Sequence, residues 1–499
     1  MKIGSLKVFL LGNNKSHHFV FLWTANHQRK VFVLAKKFSY CCRFIYVPAP
    51  HTAEVIAEVL HEVLLDWHIE RNLSTITLDN CSVNDSLMKT LIGTDGDDLA
   101  KNKAAVEGKL PLLSCMLKGK LIHMRCAAHI LNLIVKDGMS VMEKGIDNVR
   151  DSVAYWSATP KRHEKFEKMA AQMKGKYEKR IALDCKTRWN STYIMLSTAL
   201  VYQDVFERLA SRAPCVPSQD DWKFARELCD RLKMFYDVTE LLSGTKYVTA
   251  NLFFPKICNI FLTIRKWQSS EIPKVEEMSI KMKEKFNKYW SDVHGLMAVA
   301  AVLDPRFKLQ LLNALFLKIH GSESVAMEAV NKVKDLLYNL VLEYQDCMED
   351  VATTDGAQTR PSAPSQMDDE DWIDTFDDYM SKQPAVTSTY VRTELDLYLE
   401  EPLLPRTQEL DIIQWWQHAG LKYPTLQKIA RDVLAIPVTT VASESAFSTS
   451  GRIISPHRSR LAPSMIEALM CMQAWSHNDM LGKCSFYKYV VFIPYKLYN

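Results

Sequence analysis

The chain has 499 residues, 47% hydrophobic and 24% charged, an ordinary globular composition with length for about three domains. Its formal net charge of +4 is only mildly basic, so bulk charge alone argues weakly for a polyanionic partner. Twelve cysteines without a CxxC pair exclude a disulfide framework and point to reduced thiols in a nuclear or cytosolic compartment. No stretch approaches the ~18 apolar residues of a membrane span, and the early KVFLLG run is too short for a signal peptide.

In chain order, residues 17–24, 29–37 and 40–48 are apolar, β-rich and joined by short turn-like gaps. They read as a three-strand meander. HTAEVIAEVLHEVLLDWHIE (51–70) carries Val55, Leu60, Val63, Leu64 and Trp67 on one helical stripe, with Thr52 as N-cap. A short buried strand follows, Ser74 to Leu78, and ends on Asp79. The helix before it makes a βαβ crossover, which places the strand parallel in a covered sheet. Reactive groups gather at the carboxyl ends of such strands. A carboxylate there is costly without partners. A second helix (82–92) and a polar, Lys-rich link lead to KLIHMRCAAHILNLIV (120–135).

From about 140 to 345 the pattern is helical. Leu228, Leu232, Phe235 and Leu242 share one face of a helix over 222–244 that stops at Gly244. LMAVAAVL (296–303) reads as a buried helix ending before Asp304-Pro305. The stretch 348–388 is polar and includes seven acids between 368 and 378, the signature of a disordered acidic linker. Order returns near 392. Helices are expected over 409–420 and 423–437, the latter with Pro424 in its first turn and Leu426, Ile429, Ala430, Val433 and Leu434 on one face. A short helix over 440–450 stops at Gly451, and Pro463 opens another. Glu444 is an isolated acid among Ala442, Ser443, Ser445 and Ala446. It reads either as a second acid working with Asp79 or as an ordinary surface glutamate.

Eight stretches, in this order and spacing, resemble the hAT superfamily of transposases, in its RICESLEEPER- and DAYSLEEPER-type, zinc-finger-BED-related branch. They are LWTANHQRK (22–30), FIYVPAPHTAE (44–54), STITLDNCSVND (74–85), RCAAHILNL (125–133), LDCKTRWNSTY (183–193), LDPRFK (303–308), YLEEPLLP (398–405) and the long run from 413 to 469. The resemblance implies an α/β plus α fold: an RNase H-like catalytic core (meander and βαβ) interrupted by a large all-helical insertion and completed by C-terminal helices. The expected division is an atypical N-terminus (1–16), the first part of the core (17–140), the helical insertion (141–347), the acidic linker (348–391), the hAT C-terminal dimerisation region (392–478) and an atypical tail (479–499).

The same resemblance implies site residues. Asp79 is then the second and Glu444 the third of three acids that hold two divalent ions for phosphodiester transfer, with Mg²⁺ the cation for such hard oxygen ligands. The first acid position is occupied by Phe21. A phenyl ring cannot ligate Mg²⁺, so the expectation is a degenerate DDE site with a weak or lost divalent centre, and Mg²⁺ as cofactor only in an active chain. Cys126 and His129 match the family's CxxH motif near the cleavage site, and packing alone accounts for them equally well. With His123 they form HxxCxxH, but no fourth ligand lies nearby and no zinc is expected. No Cys/His pair with BED-finger spacing precedes residue 40. Arg188 and Trp189 match a motif whose Trp stabilises a flipped base; the alternative is a core Trp beside a surface Arg. Arg452, His457, Arg458 and Arg460 form a basic loop suited to phosphates. Trp415, Trp416, Leu426, Ile429 and Val433 serve as a dimer interface or as an intramolecular seam.

These readings lead to a transposase-derived, DNA-binding, dimerising nuclear protein that does not cut DNA, with no membrane partner. Two alternatives stand beside it. One is an active transposase or nuclease with a substitute ligand such as Asp184. The other is a protein-interaction module without DNA.

Overall fold

The computed structural model describes residues 18–22, 31–35, 40–45, 52–66, 73–92, 123–173, 179–186, 188–244, 247–290, 295–354, 393–406 and 410–441, together with 465 and 469. The apolar run LSTITL forms β4 (Leu73–Leu78), flanked on one side by β1 (His18–Leu22) and on the other by β5 (His123–Arg125), all parallel. Thr75, Ile76, Thr77 and Leu78 are all buried, as expected of a strand covered on both faces. The crossover into β4 is α1 (Ala53–Asp66), and α2 (Ser82–Ile92) leaves its carboxyl end and packs on α1.

The expected meander is only partly formed. β2 (Val31–Ala35) and β3 (Tyr40–Ile45) pair antiparallel, but β1 joins β4 in the parallel sheet. HFVFL is a nearly continuous apolar run, the pattern of a covered parallel strand rather than of a half-exposed hairpin arm. β5 had no sequence signal. It is three residues long, and only Met124 is buried.

The rest is helical. α3 (Ala127–Met139) is followed by α4 (Glu143–Ser157), α5 (Pro160–Gln172), α6 (Trp189–Val201), α7 (Gln203–Arg208) and α8 (Gln219–Leu242). The series continues with α9 (Ala250–Trp267), α10 (Pro273–Trp290), α11 (Gly295–Val302), α12 (Lys308–His320) and α13 (Glu323–Thr354). α8 starts at a capping box, in which the Ser218 hydroxyl accepts from the Asp221 amide and the Asp221 carboxylate accepts from the Ser218 amide. α13 continues past 348, where the acidic linker was expected to begin. No glycine or proline interrupts the sequence before Gly356, so nothing stops the helix sooner. The linker core, 355–392, lies outside the described residues.

A second capping box, Thr393 with Asp396, restarts the chain at α14 (Glu394–Glu400), followed by α15 (Ile412–Ala419) and α16 (Pro424–Leu434). The Glu394 carboxylate accepts from the Thr425 and Leu426 amides at 3.1 and 2.6 Å, satisfying N–H groups that the start of α16 would leave orphaned.

These helices are held by the LDPRFK stretch. Trp416 Nε1 donates to Leu303 O at 2.8 Å, Tyr398 OH to Val302 O at 2.9 Å, and Leu404 N to Pro305 O at 3.1 Å. Lys308 is 1% exposed, and its ammonium donates to Tyr398 O and to Glu401 O. Burial pulls the Lys308 amine below the usual lysine range. Lys308 also sits at φ +44°, a left-handed backbone that a non-glycine residue adopts only when its surroundings hold it there.

Candidate functional site

Asp79 ends β4 and is 7% exposed. Its Oδ1 accepts from the Cys81 amide at 3.3 Å, an Asx turn, and from Asn84 Nδ2 at 2.5 Å. The same Asn84 amide nitrogen donates to Asp79 O at 3.2 Å. Asn84, on the first turn of α2, is fully buried. The carboxylate is therefore supported by amide donors from its own turn. Asn84 Oδ1 and both side-chain polar atoms of Asn80 are buried without a hydrogen-bond partner among the described residues.

Two further segments meet this turn. Cys126, the N-cap of α3, donates its amide to Leu78 O at 2.7 Å, so α3 begins one residue from Asp79 across the sheet end. Residues 436–440 then return from the far end of the sequence. Thr77 Oγ1 donates to Pro437 O at 2.9 Å, and Ala127 N donates to Val438 O at 2.9 Å. The Thr440 amide and hydroxyl donate to Cys126 Sγ at 3.3 and 3.1 Å. Ile436, Val438 and Thr440 are buried. This seam fixes the chain four residues before Glu444, a separation of about 6 Å if helical and at most about 14 Å if extended. Glu444, Arg452, His457, Arg458 and Arg460 lie outside the described residues.

Phe21 lies on β1, the strand adjacent to β4, where its Cα partner is Thr77; Leu22 pairs with Leu78. It occupies a register position two residues short of Asp79, about 7 Å along the strand direction. Among the described residues no group of three or more His, Cys, Asp or Glu could hold a metal ion. Asp79 brings one negative charge, and its Oδ1 already accepts two N–H donors. The neutral oxygens of Asn80 and Asn84 add none. The described residues alone therefore do not fit a Mg²⁺ centre, which takes carboxylates and water in near-octahedral array.

Four profiles of protein families match the chain. They are described as the ZBED1 RNase-like domain (22–108), the ZBED1 RNase-like helical domain (124–231), the hAT-like transposase, RNase-H fold (251–344), and the hAT family C-terminal dimerisation region (394–476). A candidate AC transposase of Zea mays is 37% identical over 449 residues, covering 89% of this chain and 53% of its own length. RICESLEEPER 2 of Oryza sativa subsp. japonica is 35% identical over 87% of this chain and 60% of its own length. DAYSLEEPER of Arabidopsis thaliana is 31% identical over 87% and 63%, respectively. The chain belongs to the hAT superfamily. It spans a little over half the length of the first two of these relatives. The first matched span starts one residue after Phe21. The stretch matched as hAT-like transposase, RNase-H fold, lies in the helices α9 to α13.

The remaining hAT motif residues fall as follows. Cys126 is fully buried and its sulfur is engaged by Thr440, so in this structure it is part of the seam. His129 is half-buried on the first turn of α3. Arg188 is an exposed N-cap, whereas Trp189 opens α6 at 2% exposure inside the helical core. Stacking on a base would require Trp189 to leave that core.

Of the five residues considered for the dimer interface, Trp416, Leu426, Ile429 and Val433 are buried within this chain, and Trp415 is half-buried. α16, which carries Leu426, Ile429 and Val433, packs on α9, α11 and α13, and Trp416 bonds to Leu303 O, so the buried stripe faces the chain's own helical domain. A dimer contact would use other faces of the C-terminal region.

Asp184, considered from the sequence as a substitute ligand, is held by Arg150 and Thr192. Its side chain is fully buried, Arg150 Nε and Nη2 donate to it at 2.8 and 2.9 Å, and Thr192 Oγ1 donates at 2.6 Å. Burial raises the Asp184 pKa, but the bonds from Arg150 and Thr192 and the Arg150 charge outweigh it and leave it below the usual aspartate range. A carboxyl depressed in the folded state stabilises the fold above its unfolded pKa, and that contribution is lost as pH falls through the folded value. Asp184→Asn keeps one acceptor and leaves Arg150 its pair with Asp147, so it is expected to cost about 1.5–3 kcal/mol at neutral pH, the range for a lost hydrogen bond to a charged group, and to flatten the acid limb of stability. Urea unfolding from pH 7 down through the carboxylate range measures both.

Sequence patterns missed Asn84, Thr440, Arg150 and Lys308. Asn84 had a local signal, since an Asn five residues after a strand-ending Asp and inside a first helical turn suits an Asx-type network. The Cys126–Thr440 and Arg150–Asp184 contacts join distant stretches and had none.

Proposed function

We propose that this hAT chain is a transposase-derived protein that binds DNA, self-associates through its C-terminal region and works in the nucleus, with an acid site that no longer cuts. Completion of an RNase H-like site by the returning C-terminal segment is part of the same reading. The observation that carries it is the docking of residues 436–440 beside Asp79, with Phe21 on the neighbouring strand where the family carries its first acid. The scaffold of the site is kept while a ligand is lost. A DNA-binding role fits the retained scaffold, and the nuclear location follows from that role. No described helix is long and apolar enough to cross a membrane.

The test is binding of the full chain to duplex DNA across 50–200 mM salt, followed by incubation with Mg²⁺. Binding that weakens by about 10³-fold or more over that range is expected for a protein contacting six or more phosphates, with no nicking. Salt-independent or absent binding contradicts the DNA role. Nicking that Asp79→Asn abolishes contradicts the inactive site and establishes the competing reading, an active nuclease, which the buried and well-supported Asp79 favours.

A further inference from the structure

Lys281, Lys285 and Lys288 recur at i, i+4 and i+7 on α10, a spacing that sets them on one helical face. Across from them on α3 are Lys136 and Asp137, and with Ser140 and Glu284 these residues line a cleft of about 500 Å³. α3 and α10 approach closely at Gly138 beside this cleft. A Cβ there would stand 2.6 Å from Met282 Cγ and 3.1 Å from Met278 Cγ, and both methionines are fully buried. The apolar side of α10 is thus seated on a glycine, which holds its lysine face against Lys136.

Four amines and two carboxylates, Asp137 and Glu284, line this cleft, and a third carboxylate, Glu277, lies beside Lys281. Asp137 binds Lys285 at 2.9 Å, and Lys281 lies 3.4 Å from Ser140 Oγ and 4.0 Å from Glu277. Lys136 and Lys288 have no ion pair among the described residues. An excess of ammonium groups, each a compact point charge with three donors, suits phosphate oxygens.

We propose that the α3–α10 cleft is a phosphate-binding track for DNA, a site separate from the Asp79 turn and set at a fixed distance from it. This rests on the DNA-binding reading above. α3 itself is the spacer. It starts at Cys126, bonded to the residue before Asp79, and Lys136 lies ten residues along it, about 15 Å on the helix axis. At roughly 3.4 Å per nucleotide step along a duplex, the cleft takes phosphates four or five steps from a nucleotide held at Asp79. No base is read there, so the site contributes affinity and placement without sequence preference.

The experiment compares three full-length proteins by fluorescence anisotropy on one labelled duplex at several salt concentrations. They are the wild type, a cleft triple variant (Lys136→Gln, Lys281→Gln, Lys288→Gln) and a control triple variant of exposed lysines elsewhere (Lys223→Gln, Lys266→Gln, Lys332→Gln). The cleft variant is expected to bind at least about tenfold more weakly at 0.1 M salt, with the slope of log K against log salt reduced by about 0.9 for each phosphate no longer neutralised. The control variant is expected to keep the wild-type slope. A cleft variant with wild-type affinity and slope overturns the proposal. So does an equal loss in both variants, which would mark diffuse surface charge. If the wild type itself does not bind, the DNA-binding reading falls, and this site falls with it.

Discussion

Asp304→Ala is expected to lower the stability of the full chain by about 3–5 kcal/mol, the range for removing one partner of a buried ion pair. The Asp304 side chain is fully buried. Its oxygens accept from Arg306 Nε at 2.9 Å, Arg306 Nη2 at 2.7 Å, the Arg306 amide at 3.1 Å and Asn251 Nδ2 at 2.9 Å. Truncation strands a guanidinium that is only 19% exposed and leaves a buried amide without its acceptor. The damage extends further because the same stretch holds the C-terminal helices through Leu303 O, Pro305 O and Lys308. Asp304→Asn keeps the shape and one acceptor and is expected to cost less. Urea unfolding at neutral pH measures both variants. A loss below about 1 kcal/mol for the alanine variant, typical of an unremarkable surface change, would show that this network does not hold the C-terminal region.

Val438→Asp is expected to detach residues 436–440 from the sheet. Val438 is fully buried, and its carbonyl accepts from the Ala127 amide. Losing that burial costs about 1.5–3 kcal/mol, and an uncompensated carboxylate in the seam costs several more. The Ala127 and Thr440 amides, bonded across the seam to Val438 O and Cys126 Sγ, should lose hydrogen-exchange protection while the α8 core keeps its own. Val216→Asp, at a site already 41% exposed, is the matched control and should leave both amides protected. Unchanged protection in the Val438 variant would mean that the returning segment is not anchored there.

Local periodicity made several elements legible. The strand ending at Asp79, the helix over 82–92 and the stripe of α16 all follow from runs of side chains whose spacing matches one backbone geometry. A stripe states that a face is covered, and it does not state by what. For that reason the pattern of Leu426, Ile429 and Val433 suits a dimer contact and a seam equally, and their packing on α9, α11 and α13 is legible only in the structure. Short gaps argue for hairpins, so the pattern suggested a β1–β2 pairing, whereas the ladder that β1 forms is with a strand more than fifty residues later. Lys308 was illegible for a different reason. A buried lysine breaks the hydrophobic pattern and is tolerated only because two backbone carbonyls from residues 398 and 401 accept its protons. The candidate site at Asp79 shows the same division. Asp79 stood out as a charge at the end of a buried strand, but its support from Asn84 and the return of residues 436–440 are tertiary facts.

The central claim is that the scaffold of an acid site persists while its first acid seat, on the strand beside β4, holds Phe21. Thermal unfolding with and without Mg²⁺, run on the wild type and on Phe21→Asp, tests it most directly. The wild type is expected to show no Mg²⁺-dependent stabilisation at millimolar concentrations. Phe21→Asp is expected to gain one, about 2.7 kcal/mol when Mg²⁺ reaches a hundred times its Kd, and to lose it again when Asp79→Asn is added. A wild-type stabilisation that depends on Asp79, or a Phe21→Asp protein that stays indifferent to Mg²⁺, would contradict the account.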